Sequence, residues 1–222
     1  MLSALFSGQM TIQAIIIQLL VVVFITFVCI PVHEFAHVFA ANKLGDPTGK
    51  MLGRYTLNPL KHFDMIGGFM ILLVGMGWGK AAPVNTRYFK NIKRDMALTA
   101  FAGPLSNIIM AFIFLVLWNF VGFFASGAVA VNFMNFLSFA AFINITLAVF
   151  NLIPIPPLDG SRILSALLPA KQYYQLMQYE RYASYALIVV FLIAWNTNFI
   201  GYISGAVYGG LNWLASLPFG FR

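Results

Sequence analysis

The length of its uncharged runs constrains this chain more than any other feature. No charged side chain occurs between Met1 and Val32, and none between Met96 and Leu158. A membrane-spanning helix needs ~20 consecutive apolar residues, and the second run is long enough for two. Only 9% of the 222 residues are charged and 61% are hydrophobic, with mean hydropathy +0.86. A soluble domain would carry about 25% charged residues. The chain therefore reads as an all-α polytopic membrane protein of about four to six transmembrane helices.

The few charges are placed for topology rather than for nucleic acid. Nine of the thirteen Lys and Arg lie between Lys43 and Arg94, and three more are Arg162, Lys171 and Arg181. Such clusters mark loops kept in the cytoplasm. The net charge of +7 thus points to no nucleic-acid partner, only to the lipid bilayer and a multi-pass orientation. No cleaved leader is expected, because residues 1–11 lack a basic start. The single cysteine, Cys29, excludes an internal disulfide framework; it is either a small buried residue or a thiol near the motif that follows it.

Along the chain, residues 12–42 form the first apolar segment, stopped by Gly45, Asp46 and Pro47. "KMLGRYTLNPLKHFD" is polar. Residues 65–77 are apolar and glycine-rich but too short to span, which suits a small re-entrant or β-hairpin element. After a basic interfacial stretch, spans are expected at 96–121 and about 133–152, the latter broken by the prolines of "IPIPPLDG". A polar amphipathic stretch (161–182), a span at about 183–196 and a glycine-rich run at 199–217, either a fifth span or a half-inserted hairpin, complete the chain. The expected organisation is one membrane-embedded domain over 1–222, with a core at 12–165 and C-terminal helices at 183–217.

The first span ends in "PVHEFAHVFA" (31–40). In a helix, residues i and i+4 lie about 40° apart around the axis and 6 Å along it, so His33 and His37 can aim two imidazoles at one ion. Glu34 is turned about 100° away, where a carboxylate reaches a metal-held water and suits a general base. Ionisable residues in a membrane cost roughly 2.5 kcal/mol or more each unless paired or functional. A polar cluster that merely holds helices together is the plainer account. Zinc needs a third protein ligand, and a histidine six residues beyond His37 would fall on Lys43. His62, Asp64 and Asp159 are the candidates. His62 and Asp64 also read as an ordinary surface turn. Asp159 is favoured, because the positive-inside rule brings its segment to the same membrane depth as His33 and His37.

These two motifs, "HEFAH" and "NLIPIPPLDGSRIL" (151–164), together resemble the site-2 protease family of intramembrane zinc metalloproteases. The resemblance covers about residues 12–165 and fits compact members without PDZ or CBS domains. It implies one Zn²⁺ per chain held by His33, His37 and Asp159, with Glu34 as base. Asn151 matches the family asparagine thought to steady the substrate or its developing oxyanion, although it could equally cap the broken helix. "GWGKAAPVN" resembles a loop thought to bind substrate as an added strand, so Gly77 and Gly79 become substrate-binding candidates, or simply glycines in a tight turn. "GPLSN" (103–107) also has a counterpart; Asn107, like Asn144, is either site-facing or interhelical glue.

The function implied is hydrolysis of peptide bonds in or near transmembrane segments of a membrane-protein substrate. The expected setting is the cell membrane of a bacterium or archaeon, with the site toward the cytoplasm. A regulatory membrane partner or a homo-oligomer is compatible with so compact a chain. Two other readings compete: a catalytically silent binder of membrane helices, and a metal transporter. The first predicts loss of Glu34 or a ligand, and the second predicts polar residues along a path through the other spans.

Overall fold

The computed structural model describes residues 11–65, 79–169, 172 and 199–220. The short element expected at 65–77 lies outside these residues but for Met65, and Gly77 is outside with it. The span expected at 183–196 is outside as well. Among the described residues the chain is helical, with no strand.

Among the described residues, three helices are long and apolar enough to cross a membrane: 15–43, 92–124 and 128–151. The first is interrupted. Helix α1 (Ile12–Phe24) passes through a π-helical stretch (Ile25–Cys29) into α2 (Ile30–Lys43). Pro31 sits just after this stretch. Its missing N–H and its ring disturb the ladder one turn back, and a wider π turn is one way a helix absorbs that. The expectation of one regular helix over 12–42 thus misses a widened turn, and Pro31 was its signal.

Two single-turn helices follow, α3 (Thr48–Met51) and α4 (Pro59–His62), the latter capped by Asn58. Helix α5 (Ile92–Phe124) is longer than the expected 96–121. Its N-terminus is fixed reciprocally: Asn91 Oδ1 accepts from Arg94 N at 3.1 Å, and Asp95 Oδ2 accepts from Asn91 N at 3.0 Å. Helix α6 (Ala128–Asn151) starts earlier than expected. Gly127, at φ 95°, makes the tight turn that only glycine adopts readily. Helix α7 (Asp159–Leu167) restarts the chain after the prolines, and α8 (Phe199–Ser216) is one continuous helix, not a half-inserted hairpin.

The bundle is packed on small residues. Ala111, Leu115, Ala141, Ile145 and Ala215 join α5, α6 and α8, while Val21, Ile25, Cys29 and Ala140 join the first helix to α6. Alanines let helix backbones approach where lipid offers no hydrophobic drive. Leu105, Ile109, Ile113, Leu117, Phe120 and Phe124 stay exposed along α5. An apolar stripe of that length outside the bundle is stable against lipid and not against water. This is an all-α membrane protein.

Candidate metal centre

The polar end of the bundle gathers the side chains singled out above. His33, Glu34 and His37 are all buried on α2. His33 Nε2 and His37 Nε2 are 3.0 Å apart. Asp159, the first residue of α7, places Oδ2 3.3 Å from each of them. These three residues form the one group among the described residues able to offer three ligand atoms to a metal ion.

Whether the triangle fits an ion can be judged from its own edges. Tetrahedral zinc with ligands at about 2.0–2.1 Å separates any two ligand atoms by roughly 3.3–3.4 Å. The observed edges of 3.0, 3.3 and 3.3 Å are close to that. The proton inventory agrees. His37 Nδ1 is 2.8 Å from Thr99 O, and a carbonyl only accepts, so Nδ1 carries the hydrogen. In the neutral ring Nε2 is then a lone pair, and it faces another imidazole nitrogen and a carboxylate oxygen. Asp159 Oδ2 is buried with no hydrogen-bond partner among the described residues. Converging acceptors of this kind are satisfied by a cation, and the set suits Zn²⁺.

Neighbouring backbone is shaped to this cluster. A β-carbon on Gly103 would press on His37 Nε2 and stand 2.7 Å from His33 Cε1, so only glycine lets α5 lie against the two rings. Pro104 withdraws the N–H that Ala100 would bond, in the same stretch of α5 whose Thr99 carbonyl takes His37. At the other motif, a β-carbon on Gly160 would collide with the Leu152 carbonyl. The chain can therefore fold back tightly enough to deliver Asp159. Sequence reasoning passed over Thr99, Gly103 and Gly160. A backbone carbonyl leaves no trace in side-chain chemistry, and "GPLSN" drew attention to its asparagine instead of its glycine.

The remaining candidates separate clearly. His62 is fully buried, but its Nε2 lies 2.7 Å from Thr56 O, and neither it nor Asp64 belongs to the ligand group. Asn151 ends α6 and donates one amide hydrogen to Leu147 O at 3.0 Å, with no acceptor for its second hydrogen among the described residues. Asn107 is buried one turn beyond Gly103, with Oδ1 unpartnered among the described residues. Asn144 donates to Ala140 O and to Cys29 Sγ, which is the interhelical role. Gly79 lies against Ile30, His62 O and the Cγ of Glu34, so it does border the site.

Fold and site thus define a membrane protein, helical throughout its described residues, with a His-His-Asp group able to hold a metal ion. A family model, Peptidase family M50, matches residues 119–195, a stretch that holds Asn151 and Asp159. The candidate zinc metalloprotease YwhC of Bacillus subtilis is 42% identical over 163 residues, 72% of this chain and 74% of that protein. The candidate zinc metalloprotease Rip2 of Mycolicibacterium smegmatis is 34% identical over 194 residues, 80% of this chain and 73% of the relative. Rip2 of Mycobacterium tuberculosis (strain H37Rv), a candidate zinc metalloprotease by the same description, is 32% identical over 191 residues, 83% and 69%. No solved structure is significantly similar to the chain. The chain belongs to peptidase family M50, the site-2 proteases.

Proposed function

We propose that this chain is a zinc-dependent intramembrane protease that hydrolyses peptide bonds in or near transmembrane segments of other proteins. The observation that carries the reading is the triangle of His33, His37 and Asp159 closed across two distant segments, with Glu34 buried on the same helix. His33, His37 and Asp159 would hold one Zn²⁺. Zinc, when bound, supplies a Lewis acid and lowers the pKa of its water toward ~7.

The chain's own residues do the rest. Thr99 O and the close approach of Gly103 hold the His37 ring in its lone-pair orientation. Glu34 takes the proton of the attacking water and passes it to the amine of the departing peptide. Asn151 directs the amide hydrogen that it does not give to Leu147 at the developing oxyanion. Gly79, bordering Glu34, and Asn107 line the path of the unwound substrate, and Gly77 remains a substrate-binding candidate by its place in the sequence alone. The 1–222 stretch acts as one membrane-embedded domain, with the site near the cytoplasmic face, where Lys and Arg concentrate.

The direct test is Glu34→Gln in the zinc-loaded full chain, reconstituted with a single-pass transmembrane protein as substrate. Zinc stays at one per chain while cleavage falls by at least about a thousand-fold. Undiminished cleavage by the glutamine variant rules out Glu34 as base.

A further inference from the structure

Residues 79–85, between α4 and α5, are the described part of the segment that borders Glu34. Backbone hydrogen bonds at two residues fix it. Lys80 N donates to His62 O at 2.8 Å, and the Lys80 carbonyl accepts from Arg54 Nη2, which also lies 3.4 Å from Ala81 O. Five residues on, Asn85 N donates to Asp46 Oδ2 at 2.7 Å, while Asp46 Oδ1 takes Thr48 N at 2.9 Å. Between these pins, Ala81, Ala82 and Val84 donate to nothing among the described residues, and Pro83 has no N–H.

The pins are costly. Arg54 is only 6% exposed and its Nε has no partner among the described residues. Burial pushes its guanidinium below the ordinary arginine range, while the Glu34 carboxylate pulls the other way. A chain that needed only a turn here would not bury a cation to make one. Lys80 spends both its N–H and its carbonyl toward His62 and Arg54, and Ala81 O faces the same guanidinium. What the segment leaves to pair among the described residues is the N–H groups of Ala81, Ala82 and Val84.

We propose that Arg54 is a positioning residue. With Asp46, it stretches residues 79–85 across the face of α2 that carries Glu34 and keeps the 81–84 backbone open to pair with an extended polypeptide. This rests on the protease reading. Arginine suits the task because its planar fork can address the carbonyls of two successive residues, which a lysine ammonium cannot do in fixed geometry. Arg54 touches no reacting atom; it acts through the segment it holds.

The test uses the zinc-loaded full chain in detergent, with Arg54→Lys and Arg54→Ala, and labelled unfolded casein as an extended probe. For both variants KM rises roughly ten-fold or more, kcat stays within about two-fold, and zinc remains at one per chain. Amide exchange measured by mass spectrometry accelerates over 79–85 and not in α5 or α6. Free guanidinium ion lowers the KM of Arg54→Ala but not of the wild type. Unchanged exchange over 79–85 in both variants overturns the proposal, as does faster exchange throughout the helices with loss of zinc. A wild-type chain that binds zinc yet cleaves nothing defeats the protease reading, and the exchange measurement then decides whether Arg54 holds the segment.

Discussion

His37 and His62 look alike in most respects and do different work. Both are buried, and each spends one ring nitrogen on a threonine carbonyl, His37 on Thr99 at 2.8 Å and His62 on Thr56 at 2.7 Å. The difference is which nitrogen is spent. His37 gives up Nδ1, so the outer nitrogen, Nε2, meets His33 and Asp159 as a lone pair. His62 gives up Nε2 and keeps Nδ1, which is buried without a partner among the described residues. Burial and a hydrogen bond do not make a ligand, since either ring nitrogen can bind a metal; the remaining lone pair must also meet other ligand atoms, as His37 Nε2 does at 3.0 and 3.3 Å.

The comparison is tested most severely by removing one member of each set. Asp159→Ala should cut zinc affinity by more than the ~10–100-fold typical of outer-shell partners, read as metal per chain after dialysis against a weak chelator. His62→Ala should leave zinc at one per chain while lowering stability by about 1–3 kcal/mol, read by thermal unfolding in detergent. Zinc lost equally from both variants would dissolve the distinction.

A smaller effect is expected from geometry that neither side chain owns. Gly103→Ala forces a methyl against both rings and should weaken zinc binding by roughly 10–100-fold without touching a ligand. Gly205→Ala, where an added β-carbon meets nothing within 4 Å, is the matched control and should leave binding unchanged.

The smallest effect concerns pH. Burial holds His62 below its ordinary value of 6.5, opposed by the Thr56 carbonyl and aided by the Arg54 cation. The unfolded chain then takes up a proton near 6.5 that the folded chain refuses. The contribution of neutral His62 is therefore complete above that pH and is lost as pH falls from there toward the folded value. His62→Gln, whose amide nitrogen can replace Nε2, should flatten this acid limb relative to wild type in unfolding measurements between about pH 7 and 5. An identical pH profile for the two would show that His62 does not titrate as argued.

Much of this was legible in the sequence. The uncharged runs announced helices in lipid, because a bilayer accepts no other run of that length. The spacing of His33 and His37 followed from the pitch of a helix. Charge placement put Asp159 at the depth of those histidines. The widened turn at Ile25–Cys29 was less visible, since its one signal is Pro31 inside an otherwise unbroken apolar segment. The roles of Thr99 and Gly103 were invisible, since one acts through a carbonyl and the other through a missing atom.

By itself the sequence determined the solvent, the class of fold and the chemistry at stake, because those depend on residue types and on periods along one helix. Only the tertiary structure decided between Asp159 and His62, which stand 126 and 29 residues from His33 in the numbering. The choice rests on distances of about 3 Å between helices, which bring Asp159 and not His62 to the two histidines. No spacing along one chain encodes such a distance.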